Sequence, residues 1–298
     1  MVLQGRGSPP TLTDGTIIAE AKVCDLRVLP EKRQQWSELT DLDKNAFSKF
    51  LNLHCLKTNE IEGTVQFDST TATRLVQVGF FEQVDIREIA SSTGTIRHRE
   101  EAMLVLQDTH KAIEMIFQLV RQQPVVLSLD FICRLHKVMM TSSPITVEAN
   151  SCVNVSVAIS ASTGGTTRIQ FFPFDTVNTE LETFCQKFNE LIRVENMDPF
   201  SAAAWISHDG NGQLSRMLAS IPLLLKQLPA LCIGPSHKSN YNTCLNAVSA
   251  LSHRPRIWNL QHSHTRSTRN GDYDLLMQAM YQGTLPSMLD IRTVLTQS

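Results

Sequence analysis

The sequence predicts a mainly α-helical fold carrying one small β-hairpin. Three observations predict it. Apolar residues recur at helical spacing in several long stretches. One stretch, 141–175, switches to Ser, Thr, Gly and Asn mixed with β-branched residues. No segment of the chain repeats another. At 298 residues and 42% hydrophobic, the chain can bury a real core, and 19% charged residues make a disordered chain a poor fit.

The elements follow in order. Residues 1–35 read as irregular, with a short strand within Thr16–Val28. The first helix spans Asp41 to about Asn59, with a stripe of Leu42, Phe47, Phe50, Leu51, Leu53 and Leu56, and Gly63 stops the chain just beyond it. Arg97–Arg121 is a second helix with Met103, Leu104, Leu106, Ile113, Ile116, Leu119 and Val120 on its apolar side. Ser128, Leu129 and Asp130 open a third, which ends near Met140; a polar cap and an early acid suit a helix N-terminus. Val153–Ile159 and Arg168–Phe172 pair around Ser162–Thr167 as the hairpin, closed by Pro173. Helices follow at Thr176–Val194, Pro199–His208 and Gly212–Gln227. Arg254–Arg269 is a polar, aperiodic loop, and Asp272–Gln282 is the last helix. The chain therefore divides into an irregular segment (1–40), a first helical region (41–100), a core (101–250) and a polar loop with a C-terminal helix (251–298).

Composition excludes several functions. The net charge of −2 gives no footprint for nucleic acid or an anionic membrane. No apolar run approaches roughly 18 residues, so no membrane span is expected. The first ten residues lack the apolar stretch of a signal peptide, which points to a cytoplasmic, intracellular protein. Seven cysteines, at 24, 55, 133, 152, 185, 232 and 244, show no metal-binding spacing and read as buried free thiols. The histidines at 54, 98, 110, 136, 237, 253, 262 and 264 show no ligand spacing either and read as structural or exposed.

The most informative stretch is Asp209-Gly210-Asn211-Gly212-Gln213-Leu214-Ser215-Arg216. Two glycines and an asparagine let successive N–H groups turn into one concavity, a nest for anions. A helix begins at once, and its N-terminus favours phosphate through about half a unit of positive charge. Arg216, one turn in, adds a full charge with bidentate geometry. Asp209 is a suitable oxygen ligand for Mg²⁺. No Lys-Ser/Thr pair follows the glycines, so this is not a Walker A loop. On these residues alone, an ordinary turn followed by a solvated helix arginine is an equal alternative.

Here the sequence resembles the Fic (Fido) family of protein adenylyltransferases, whose motif is His-Pro-Phe-x-Asp/Glu-Gly-Asn-Gly-Arg-x-x-Arg. Asp209 to Arg216 match its second half. The flanks Ala202–His208 and Leu218–Leu224 are similar too, as is Leu135–Met140, and the likeness covers about residues 40–250 and the last helix. A distant match adds to it. Thr58-Asn59-Glu60-Ile61-Glu62-Gly63 resembles the family's inhibitory pattern Ser/Thr-x-x-x-Glu-Gly/Asn. The resemblance makes 41–100 an inhibitory-helix region and 101–250 a Fido core whose hairpin is the flap that aligns a target segment. It implies transfer of AMP from ATP to a Ser, Thr or Tyr hydroxyl of a target protein, itself unknown; a homodimer stays open as an assembly. Mg²⁺ would sit on Asp209, and the phosphates on Gly210, Asn211, Gly212, Gln213 and Arg216. Tyr241 would lie near the adenine. Glu62 would pair with Arg216 and keep the γ-phosphate out of productive placement.

Two departures stand out. The His-Pro-Phe half of the motif is absent, and His208 directly abuts Asp209. By its flank His208 matches a helix histidine of the family; it is the candidate left for the general base, against a structural role at a shortened helix end. The first motif arginine is replaced by Gln213, which can donate to a phosphate oxygen but brings no charge. Catalysis is therefore weighed against a nucleotide-binding pseudoenzyme and a helical interaction module.

Overall fold

The computed structural model describes residues 28–41, 45–81, 89–91, 96, 98–122, 124–142, 157–160, 166–169, 174–193, 197–208, 212–252 and 275–284. Its elements are α1 (Val28–Asp41), α2 (Ala46–Glu62), β1 (Gln66–Phe67), α3 (Ser69–Val78), β2 (Ile89–Ala90), α4 (Arg99–Arg121), α5 (Leu129–Met139), β3 (Val157–Ser160), β4 (Thr166–Ile169), α6 (Phe174–Ile192), α7 (Pro199–His208), α8 (Gly212–Leu225) and α9 (Pro235–Ser252). A last helix, α10, covers 275–284. The architecture is mainly α, as the periodicity predicts. β3 and β4 form the expected hairpin, with Val157 opposite Ile169 and Ser160 opposite Thr166. A second two-stranded pair, β1 with β2, was not foreseen.

α8 is the centre of the fold. Every residue from Leu214 to Leu223 is buried, which marks a helix enclosed on all sides. α7, α4 and α2 surround it. α7 makes the most extensive packing with it, and small buried residues on both helices, Ala202, Ala203 and Ala204 of α7 and Ala219 of α8, suit that approach. α7 starts sharply. Asp198 accepts the Ser201 N–H at 2.6 Å, and Pro199 takes the first helical position, where no N–H is needed. Trp205 stacks on Phe184 of α6 at 5.5 Å, and Ser201 Oγ reaches Met277 Sδ of α10 at 3.4 Å. One apolar cluster runs from Phe50 to Met280 and includes residues of α2 through α10.

Some expectations need correction. Residues 28–35 are not irregular: they open α1. The helix has almost no apolar stripe, and Gln34–Glu38 and Gln35–Glu31 side-chain hydrogen bonds one turn apart support it instead. The first predicted helix is likewise split, because α1 ends at Asp41 and α2 begins at Ala46. α3 is a further helix that was not foreseen; Asp68 caps it by accepting from Thr70 N and Thr71 N. α9 was missed because its sequence is largely polar. Leu104 is exposed, not on the apolar face of α4. Of the described cysteines, Cys55, Cys185, Cys232 and Cys244 are buried free thiols, whereas Cys133 faces solvent while Phe131 and Ile132 before it face the core. The strand within Thr16–Val28 and the loop Arg254–Arg269 lie outside the described residues, except that Val28 begins α1. Among the described residues, no helix is long and apolar enough to cross a membrane.

Candidate functional site

The site follows from placing a charge on the most enclosed helix. Arg216 is 4% exposed. A desolvated guanidinium is costly by several kcal/mol unless an anion pairs with it. Glu62 supplies that anion from α2: its Oε1 lies 2.5 Å from Arg216 Nη2. The Glu62 side chain keeps 36% of its surface, so the pair sits at the mouth of the core with the carboxylate on the solvent side.

Glu62 arrives there because α2 ends on it. Gly63 adopts φ 73°, a left-handed conformation that disfavours any Cβ. Its N–H bonds Glu60 O, and Thr64 N bonds Asn59 O, both at 3.0 Å, so the last carbonyls are satisfied. Gly212, the first residue of α8, shows how near the carboxylate comes. A Cβ at that position would stand 2.7 Å from Glu62 Oε1 and 3.4 Å from Arg216 Nη1. The carboxylate thus rests at the N-terminus of α8, where backbone N–H groups have no partner within the helix and the dipole favours negative charge.

Buried polar contacts fix the two helices relative to each other. His54 Nε2 lies 3.0 Å from Leu231 O. A carbonyl only accepts, so Nε2 carries the proton and Nδ1 faces the Thr58 hydroxyl at 3.5 Å. Burial lowers the His54 pKa to about 4, with Arg216 adding to the fall and the Leu231 bond opposing it, so the ring is neutral at neutral pH. Leu231 N donates to Ser220 Oγ of α8 at 3.1 Å, and that hydroxyl donates to Arg216 O at 3.0 Å. On the other side, Thr109 of α4 joins both helices. Its hydroxyl accepts from Asn59 Nδ2 at 3.0 Å and faces Gln213 Nε2 at 3.5 Å. Gln213 therefore turns inward toward α4.

Tyr241 of α9, 1% exposed, lies within electrostatic reach of Arg216. Burial raises its phenol pKa, while the Arg216 charge and the facing Ser207 hydroxyl pull it down. The three groups lie within electrostatic reach, yet Ser207 Oγ, Arg216 Nε and Tyr241 Oη are all buried without a geometrically sound hydrogen bond.

Of the sequence-predicted residues, the structure gathers Glu62, Gly212, Gln213, Arg216 and Tyr241 at one end of α8. His208 is the last residue of α7, so it borders the same loop. Asp209, Gly210 and Asn211 lie outside the described residues. No group of three or more metal-ligating side chains forms among the described residues. Sequence reasoning missed Asn59 and Thr109 as supports and left His54 without a partner. The signal available was Asn52, His54, Thr58 and Asn59 interrupting the apolar run Phe50–Ile61, since polar groups buried in a helix need partners.

The fold is that of Fic-domain proteins. A crystal structure of a Fic domain containing signaling protein from Bacteroides thetaiotaomicron superposes with a TM-score of 0.63, at 16% identity, over 91% of this chain and 97% of that one. Fic-1 (residues 134–508) from C. elegans superposes with a TM-score of 0.55, at 15% identity, over 96% of this chain and 74% of that one. No protein-family model and no curated protein matches the sequence. The Fic fold is therefore visible in three dimensions at an identity where sequence comparison is silent.

Proposed function

We propose that this chain is a Fic-type protein adenylyltransferase that transfers AMP from ATP to a Ser, Thr or Tyr hydroxyl of a target protein, and that Glu62 holds it off. One observation carries the reading: Glu62 meets Arg216 at the N-terminus of α8. The carboxylate takes the guanidinium edge and the helix terminus that suit a terminal phosphate, so the two anions compete for one seat. A polyphosphate fits the residues present. The guanidinium is buried and Gly212 leaves the approach to it open.

ATP, when bound with Mg²⁺, supplies the electrophilic α-phosphorus and the leaving pyrophosphate. The chain's own residues then have separate tasks. Arg216, Gly210, Asn211 and Gly212 hold phosphates, Gln213 steadies the start of α8, and Asp209 offers the metal an oxygen. Glu62 denies the seat until it swings away. His208, at the end of α7, is the candidate left to accept the proton of the target hydroxyl.

A second reading, a nucleotide-binding pseudoenzyme, is favoured by a specific feature. α7 ends at His208 and α8 starts at Gly212, with no His-Pro-Phe segment between them. A base must come within hydrogen-bond reach of the attacking hydroxyl, and this chain has lost the segment that normally carries it. Labelled ATP with Mg²⁺ separates the readings. Glu62→Gly is expected to bind ATP at least about tenfold tighter than the wild type, roughly 1.4 kcal/mol, and Arg216→Ala to lose binding. Labelling of the protein that His208→Ala removes assigns the transferase. Saturable binding without labelling assigns the pseudoenzyme. If neither the wild type nor Glu62→Gly binds ATP, both readings fall and a helical interaction module is left.

A further inference from the structure

We infer that Thr109 is the positioning residue of the Glu62–Arg216 pair: its hydroxyl fixes the register in which the end of α2 and the start of α8 meet on α4, and that register brings the carboxylate onto the guanidinium. The inference rests on the reading of Glu62 as a brake on a phosphate seat, but its first test needs no nucleotide.

Glu62 and Arg216 belong to helices that share little direct packing. α2 and α8 each pack far more extensively on α4 than on each other. α4 is therefore the platform on which the pair is assembled, and a small shift of the last turn of α2 along it would part the two charges. Thr109 stands where the three helices meet, 1% exposed. Its hydroxyl donates to Val105 O, one turn back in α4, at 2.9 Å. With its proton spent there, the oxygen can only accept. It accepts from Asn59 Nδ2 of α2 at 3.0 Å and faces Gln213 Nε2 of α8 at 3.5 Å. The spacing ties this joint to the pair. Asn59 lies three residues before Glu62, and Gln213 three before Arg216, so on both helices the joint is one turn from the charges. The Asn59 amide is fixed in its orientation. Its Nδ2 also donates to Cys55 O at 2.9 Å, so both of its protons meet groups that only accept. Asn59 Oδ1 is left buried without a partner, and turning the amide over would set that oxygen against two acceptors instead. The contact to Gln213 is the looser of the two. Thr109 thus seats the end of α2 firmly, and Glu62 is delivered to Arg216 from that fixed end.

A double-mutant cycle tests this. Thr109→Val keeps the shape of the side chain and removes the hydroxyl. In urea, its effect on the unfolding constant should be at least about threefold larger with Glu62 present than in the Glu62→Ala background, because only the former also loses the pair. Thr109→Ser keeps the hydroxyl and should have the same effect in both backgrounds. Equal Thr109→Val effects in the two backgrounds make the hydroxyl a structural support alone and overturn the inference. The second arm is ATP with Mg²⁺. Thr109→Val should tighten ATP about fivefold while Glu62 is in place, by loosening its competitor, and change it less than about twofold on Glu62→Gly. An unchanged affinity with Glu62 in place, or an equal change in both backgrounds, also overturns it. Asn59→Ala breaks the same joint from α2 and should repeat both patterns, so the test holds even if Thr109→Val does not fold. If ATP binds none of these proteins, the phosphate seat is wrong, and the unfolding cycle alone decides whether Thr109 positions the pair.

Discussion

α1 and α2 are neighbours in the chain and are held in opposite ways. α1 is polar, laced by Lys32–Gln35, Gln35–Glu31 and Gln34–Glu38 contacts worth a few tenths of a kcal/mol each. It leans on the rest of the fold through Trp36, whose ring meets Phe50 edge-on at 4.6 Å. α2 is buried on nearly every side. Phe50 and Cys55 are fully enclosed, and its polar residues His54 and Asn59 are tied to Leu231 and Thr109. The difference teaches where movement can occur. A helix that is part of the core cannot withdraw without opening the core. The blocking element of the site is thus not α2 but the Glu62 side chain at its rim, still 36% exposed and free to change rotamer. Release costs the pairing of one buried guanidinium, about 3–5 kcal/mol until another anion replaces the carboxylate, and not the burial of a helix.

The largest expected effect tests how firmly α2 is seated. His54 is neutral inside the core with a pKa lowered to about 4 from 6.5. Its folded pKa lies below its unfolded one, so the unfolded chain takes up the proton first as pH falls. Stability from this residue is complete above pH 6.5 and drains away between pH 6.5 and about 4, by about 3 kcal/mol in all. His54→Gln keeps an amide able to reach Leu231 O but cannot titrate. Urea unfolding followed from pH 7 to pH 4 should show wild-type stability falling relative to the variant over that window. Parallel curves would mean that His54 is not the sealed, neutral anchor described here.

Trp36→Ala tests the opposite end of the comparison. The ring is only partly buried, and its loss should cost about 1–2 kcal/mol. Hydrogen exchange should quicken in Val28–Asp41 and leave α2 protected, with Glu62 still on Arg216. If exchange quickens through Phe50–Ile61 as well, α1 and α2 form one unit and the contrast between them fails.

Much of this was legible in the residues, for physical reasons that can be named. α8 and its loop could be read because Gly-Asn-Gly followed by an apolar stripe and Arg216 is a local pattern. The Glu62–Arg216 meeting could be anticipated only through family resemblance, since 154 residues separate the partners and no periodicity links them. α1 and α9 were hidden because polar helices carry no stripe. The supports Asn59 and Thr109 were hidden because a buried hydrogen bond between two helices leaves each residue looking ordinary in its own segment. For Arg216, a solvated helix arginine was an equal alternative on helical spacing. That inference assumes a helix with one wet side, and α8 has none.

The smallest expected effect is the most specific to the site. Gly212 has no Cβ, and a methyl there would intrude to 2.7 Å from Glu62 Oε1. The intruded atom is the far end of a flexible side chain, so the carboxylate shifts at little cost. Alanine also favours the helix that begins at this residue, by up to about 1 kcal/mol. Gly212→Ala should therefore be neutral or slightly stabilising in urea unfolding while it loosens the Glu62–Arg216 pair. It should nevertheless fail to mimic Glu62→Gly. Any anion seated on the first turn of α8 meets the same methyl, so adding Gly212→Ala to Glu62→Gly should weaken ATP roughly tenfold, about 1.4 kcal/mol. Titration calorimetry on the two proteins reads this directly. An unchanged affinity would mean that phosphate and carboxylate do not share a seat, and the competition through which Glu62 is proposed to act would have no physical basis.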